Sequence, residues 1–112
     1  MAGQRLAKSF LLRKSWEFDA VYREGKRLRG AGFTLICRPT TSGRSRLGIS
    51  IHRGLRGAVK RNRIKRIVRE SFRLEREQYP QSADIVFAVR PDFACSCPHD
   101  VSRAVSLHHG IS

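Results

Sequence analysis

Acidic residues are scarce in this chain, and that scarcity limits what it can do. Its 112 residues include 9 Asp and Glu against 23 Lys and Arg, for a formal net charge of +14 and a pI near 11.4. So few carboxylates leave little material for acid–base pairs or metal cages. No paired-carboxylate cleft, nucleophile motif or phosphate-cradling glycine loop is evident. Cysteine is also sparse. The 3 present (Cys37, Cys95 and Cys97) are an odd number, which argues against a disulfide framework and fits a reducing cytoplasm. No apolar run approaches the length that spans a bilayer. The stretch Phe10-Leu11-Leu12 is broken at once by Arg13 and Lys14, too short for a signal-peptide core. Repeats and low-complexity segments are missing, and the length suits one domain over residues 1–112.

The cationic surplus is the dominant feature. Such a charge repels itself and destabilises the compact state unless a polyanion neutralises it. Phosphate backbones do this while releasing condensed counterions, so nucleic acid is favoured over anionic lipid or a merely solvated basic surface. Arg outnumbers Lys roughly fourfold, and planar guanidinium forks suit phosphates and stack on bases.

Periodicity predicts α/β order. Residues 1–13 read as a basic arm. A helix of about ten residues starts near Ser15 as N-cap, with Glu17 and Asp19 in its first turn and Gly25 as its stop. Phe18, Val21 and Tyr22 share a face, with Trp16 beside them. Two strands, 33–38 and 46–52, flank a link of turn composition (39–43) that suggests a hairpin. In the second strand Leu47, Ile49 and Ile51 form an apolar face, whereas the other face is polar and, at Gly48, flat. A long helix runs from about Gly57 to Glu77, ended by Pro80, with Ile64, Ile67, Val68, Ser71 and Phe72 as its packing stripe. The run Ile85-Val86-Phe87-Ala88-Val89 reads as a buried central strand. From Pro91 onward the pattern weakens, and residues 98–109 suggest a short closing helix with Val101, Val105 and His108 on one side.

The long helix carries the chemistry. Asn62, Arg66, Arg69, Arg73 and Arg76 fall on the face opposite the apolar stripe, a row of roughly 21 Å at 1.5 Å per residue. Lys60, Arg61, Arg63 and Lys65 crowd its first turns, and Arg53 and Arg56 extend the patch into the preceding loop. Charged stripes are usually solvated faces of mixed sign. Residues 53–69 contain no acid at all, so a polyanion-binding face is the better reading.

The run Lys60-Arg61-Asn62-Arg63-Ile64-Lys65-Arg66-Ile67-Val68-Arg69-Glu70-Ser71-Phe72-Arg73 resembles the signature helix of the bacterial ribonuclease P protein family. Three further blocks resemble that family in the same order: Trp16 to Gly25, Leu47 to Ile51 with Gly57-Ala58-Val59, and Asp84 to Pro91. Together they cover about residues 5–91. The resemblance implies an α/β sandwich of a small sheet with a long crossover helix, left-handed against the usual rule, and the N-terminal helix on the other sheet face. It also implies a subunit of a ribonucleoprotein endoribonuclease that removes the 5′ leader of precursor tRNA. In that family the RNA subunit performs hydrolysis with bound Mg2+, so the implied partners are ribonuclease P RNA and precursor tRNA, with neither DNA nor membrane expected. By position, Arg61, Asn62, Arg63, Lys65, Arg66 and Arg69 match residues at the RNA subunit or beside the substrate, and Phe18 and Tyr22 match a cleft for the single-stranded leader.

Such a cleft is physically reasonable, because single strands are held by aromatic platforms flanked by positive charge. Phe18 and Tyr22 would face the polar side of the sheet, with Ile36, Ser50 and Gly48 as floor. Plain helix packing is the competing reading. It is preferred for Phe18, while the polar tip of Tyr22 favours nucleotide contact. His52 reads as an RNA-facing or internally satisfied histidine rather than a general base. The tail departs from the family pattern. Cys95, Cys97 and His99, with His108 or His109, raise a zinc site, but their spacing is unusual and ordinary thiols are the preferred reading. The rival function is a structural RNA-binding module such as a small ribosomal protein.

Overall fold

The computed structural model describes residues 10–41 and 43–109, with side chains to residue 106. The elements run α1 (Ser15–Glu24), β1 (Lys26–Gly30), β2 (Phe33–Pro39), β3 (Arg46–Ile51), α2 (Ala58–Leu74), a 3₁₀ turn (Arg76–Gln78), β4 (Ala83–Val89) and α3 (Pro98–His109). The strands form one four-stranded sheet in the order β1-β2-β4-β3. Its centre is β4, antiparallel to β2 and parallel to β3. Most of the basic arm, residues 1–9, lies outside the described residues.

The expected hairpin between β2 and β3 does not form. The two strands do run antiparallel, but β4 lies between them. This is the arrangement that burial demands. Ile85, Val86 and Phe87 are fully buried, and only a central strand covered on both faces can bury consecutive apolar residues. The true hairpin joins β1 to β2 through Ala31 and Gly32, where Gly32 adopts φ +78°. Arg90, at the end of β4, fastens it: its guanidinium donates to the Phe33 carbonyl (2.8 Å), the Thr34 hydroxyl (2.8 Å) and the Gly30 carbonyl.

One sheet face carries the main core. Phe33, Leu35, Leu47, Ile85 and Phe87 pack there with Ile64, Ile67, Val68 and Phe72 of α2 and Val101 and Val105 of α3. Phe33 stacks on Phe87 at 4.7 Å, and Phe72 meets Tyr79 edge-on at 5.2 Å. The one polar member of the α2 stripe, Ser71, is satisfied by Tyr79 and Ser102 hydroxyls, each at 2.6 Å. Every residue of the predicted stripe is buried. The helix ends at Leu74, well before Pro80, because Glu75 leaves helical geometry and the chain re-enters a 3₁₀ turn.

The opposite face is not uniformly polar. Ile36 and Val86 lie there, buried with Leu12 and Val21 beneath α1. Ser15 is the first residue of α1 rather than its cap. Lys14 takes the cap position, and Glu17 reaches back to the backbone N–H groups of Arg13 (2.9 Å) and Lys14 (3.0 Å). Trp16 is 64% exposed, outside the packing face that it was expected to border. Among the described residues no helix is long and apolar enough to cross a membrane.

Candidate nucleic-acid interface

The first surface is α2 with the loop before it. Arg53, Arg56, Lys60, Asn62, Arg63, Arg66 and Arg69 are all exposed. Arg61 and Lys65 are half-buried, and Arg61 braces the loop by donating to the Leu55 carbonyl at 2.9 Å. The first turn of α2 contains no acid and receives no side-chain cap, so its N–H groups add to the positive field. Two residues of the expected row are diverted. Arg73 donates twice to Glu70 (3.0 and 2.8 Å), which holds the Glu70 carboxyl below its ordinary range. Arg76 has left the helix and lies over the Phe10 ring at 4.2 Å. The unpaired row therefore runs from Asn62 to Arg69, roughly 10 Å rather than 21 Å. Its charge is concentrated towards the helix N-terminus.

The second surface lies on the α1 side of the sheet, where strand register fixes three parallel rows. The first is Arg46–Asp84–Arg38. It anchors α1: Arg46 grips buried Asp84 with two bonds of 2.9 Å and Glu17 with one of 2.8 Å, while Arg38 holds Glu24 at 2.7 Å. The Lys14 and Arg13 N–H groups, together with Arg46, hold the Glu17 carboxyl below the usual range. The second row is Gly48–Val86–Ile36–Arg27. Here α1 closes onto the sheet. A Cβ on Gly48 would come within 2.7 Å of the Phe18 ring, so bare backbone at 48 is what admits Phe18. The third row is Ser50–Ala88–Thr34–Arg29. Its three small residues are only half-buried, and Arg29 is exposed.

The result is a flat shelf of small side chains walled by Phe18 and Tyr22, both half-buried against the cluster under α1. Ser50 belongs to this shelf. Ile36, expected in its floor, is 1% exposed and lies under α1, out of reach of a ligand. Thr34, Ala88, Arg27 and Arg29 escaped sequence reasoning. Period-two alternation from Ile36 does pick out Thr34, but aligning it with Ala88 requires knowing that β4 separates β2 from β3. His52 is exposed at the β3 end. Its Nδ1 accepts the Gly54 N–H at 2.9 Å.

The tail carries no comparable arrangement. Burial raises the Cys95 thiol above its ordinary pKa and pushes Cys37 up to about 11, the behaviour of inert thiols. Among the described residues no three of His, Cys, Asp and Glu converge as a metal site, and the side chains of His108 and His109 lie outside those described.

A family model described as Ribonuclease P matches residues 6–107. The chain belongs to the ribonuclease P protein family. It is 61% identical over 105 residues to the ribonuclease P protein component of Desulfotalea psychrophila, covering 94% of this chain and 88% of that one. Identity to the corresponding protein of Syntrophus aciditrophicus is 34% over 102 residues, covering 91% and 86%. Among solved structures, the RNase P protein of Thermotoga maritima superposes with a TM-score of 0.77 at 32% identity, covering 90% of this chain and 96% of that chain. That of Staphylococcus aureus gives 0.77 at 25%, covering 93% and 95%. Membership places the chain in tRNA processing as an RNA-binding component of ribonuclease P.

Proposed function

We propose that the chain binds ribonuclease P RNA through the acid-free face of α2 and holds the 5′ leader of precursor tRNA along the shelf beside α1. The observation that carries this reading is the pairing of an aromatic wall, Phe18 and Tyr22, with a floor too small to obstruct a flat base. Arg53, Arg56, Lys60, Asn62, Arg63, Arg66 and Arg69 supply the RNA-facing charge and polarity, with Arg61 and Lys65 at its edge. Hydrolysis is assigned to the RNA subunit and its Mg2+. In support, Glu17, Glu24, Glu70 and Asp84 are each engaged by arginine, which leaves their carboxylates occupied with folding. The cytoplasm, where free thiols persist, is the proposed site of action.

Tyr22 tests the leader assignment. The Arg27 guanidinium lies 5.9 Å from its ring centre, so a base stacked there meets both a π-face and a cation. Tyr22→Ala is expected to cost about 1–3 kcal/mol in affinity for precursor tRNA, the usual worth of one stacked base. Mature tRNA, without a leader, should bind unchanged. Equal losses for the two forms, or a fall in melting temperature without selective loss, would reduce Tyr22 to packing.

A further inference from the structure

The shelf does not stop at the aromatic wall, and its far end is occupied by charge. Register places Arg29 in line with Thr34, Ala88 and Ser50, and Arg27 in line with Ile36, Val86 and Gly48, so both arginines lie on the α1 side of the sheet. Both are exposed. Arg27 donates to the Tyr22 carbonyl at 3.3 Å and lies over its ring, which makes β1 continuous with the wall. No acid pairs with Arg29 among the described residues. The opposite end of the shelf, at β3, leads through residues 52–57 into the basic N-terminus of α2. The edge strand β1 is therefore the end of the sheet farthest from the strand that feeds the RNA-binding helix.

Resting on the reading of the shelf as the leader site, we infer that the leader track crosses the whole sheet and ends on β1, where Arg27 and Arg29 hold leader phosphates distal to the cleavage site. Three inter-strand spacings of about 4.8 Å give a track of about 14 Å. That length matches about four stacked nucleotides at ~3.4 Å each. Contact with β1 thus belongs to long leaders and is out of reach for very short ones. The bland alternative is that cations on an edge strand merely prevent strand pairing with other chains. Edge protection needs charge but does not depend on the length of any RNA.

The test measures affinity of the protein, assembled with ribonuclease P RNA, for mature tRNA and for precursor tRNAs with leaders of about two and about eight nucleotides, across a salt series. Wild type, Arg27→Ala/Arg29→Ala, Arg27→Lys/Arg29→Lys and Tyr22→Ala are compared. The double alanine variant is expected to lose affinity for the long leader only. Its slope of log affinity against log salt should flatten by about 1.4, at ~0.7 for each single-strand phosphate released. The double lysine variant should keep the wild-type slope. Loss shared equally by the two leaders, or no loss while Tyr22→Ala still separates precursor from mature tRNA, overturns the β1 assignment and leaves the leader shelf standing. If Tyr22→Ala fails to separate them as well, the leader reading falls and this inference with it.

Discussion

Raising salt from about 50 to about 200 mM should weaken binding of this protein to ribonuclease P RNA by about 10³-fold. Six exposed cations (Arg53, Arg56, Lys60, Arg63, Arg66 and Arg69) lie between residues 53 and 69, with no acid among them. Each phosphate they neutralise releases condensed counterions. Six such contacts give a slope of log affinity against log salt near −4 to −5, taking ~0.7–0.9 per phosphate. The diversion of Arg73 and Arg76 matters here, because counting the whole predicted row would add two more contacts and a steeper slope. Filter-binding or fluorescence titration across the salt range checks it. A flat dependence would mean that the α2 face is not the interface.

The second large effect is on stability. Phe72→Ala should cost about 3–5 kcal/mol, a substantial part of the ~5–15 kcal/mol that holds a domain together. Phe72 is fully buried and contacts the Tyr79 ring edge-on, so truncation leaves a cavity where α2 meets the sheet. Arg66→Ala and Arg69→Ala, on the opposite side of the same helix, should shift stability by no more than about 0.5 kcal/mol and still weaken RNA binding. Urea unfolding of the three variants, set beside their RNA affinities, separates the two faces. Stability lost at Arg66 and retained at Phe72 would show that the helical phase has been assigned the wrong way round.

That phase was legible from spacing alone. The stripe Ile64, Ile67, Val68, Ser71 and Phe72 is buried as its period requires, and the central burial of β4 followed from its unbroken apolar run. Adjacency was not legible. The turn-like composition of residues 39–43 signals a reversal, which occurs, but composition does not say whether the reversed strand pairs at once or leaves room for a strand far ahead in sequence. β1 escaped for a different reason. Lys26-Arg27-Leu28-Arg29-Gly30 has one apolar residue and the composition of a basic loop, and tertiary contacts from Arg90 help set its geometry. The same gap hid half of the shelf. Phe18, Tyr22 and Ser50 could be picked from local pattern, whereas Ile36 was misplaced and Thr34, Ala88 and Arg29 were missed, because burial and register across three strands are long-range properties. Likewise, spacing put Arg73 and Arg76 on the polar face, but the pairing of Arg73 with Glu70 and the docking of Arg76 on Phe10 depend on rotamers and on a helix end that period alone does not fix.

The most direct measurement is precursor tRNA cleavage in a reconstituted system at low Mg2+. Purified protein, ribonuclease P RNA and the two together are assayed on the same substrate. Protein alone is expected to leave the substrate intact, RNA alone to cleave it weakly, and the two together to cleave it strongly with correct 5′ ends. Cleavage by RNA-free protein, or a mixture no faster than RNA alone, would contradict that division of labour.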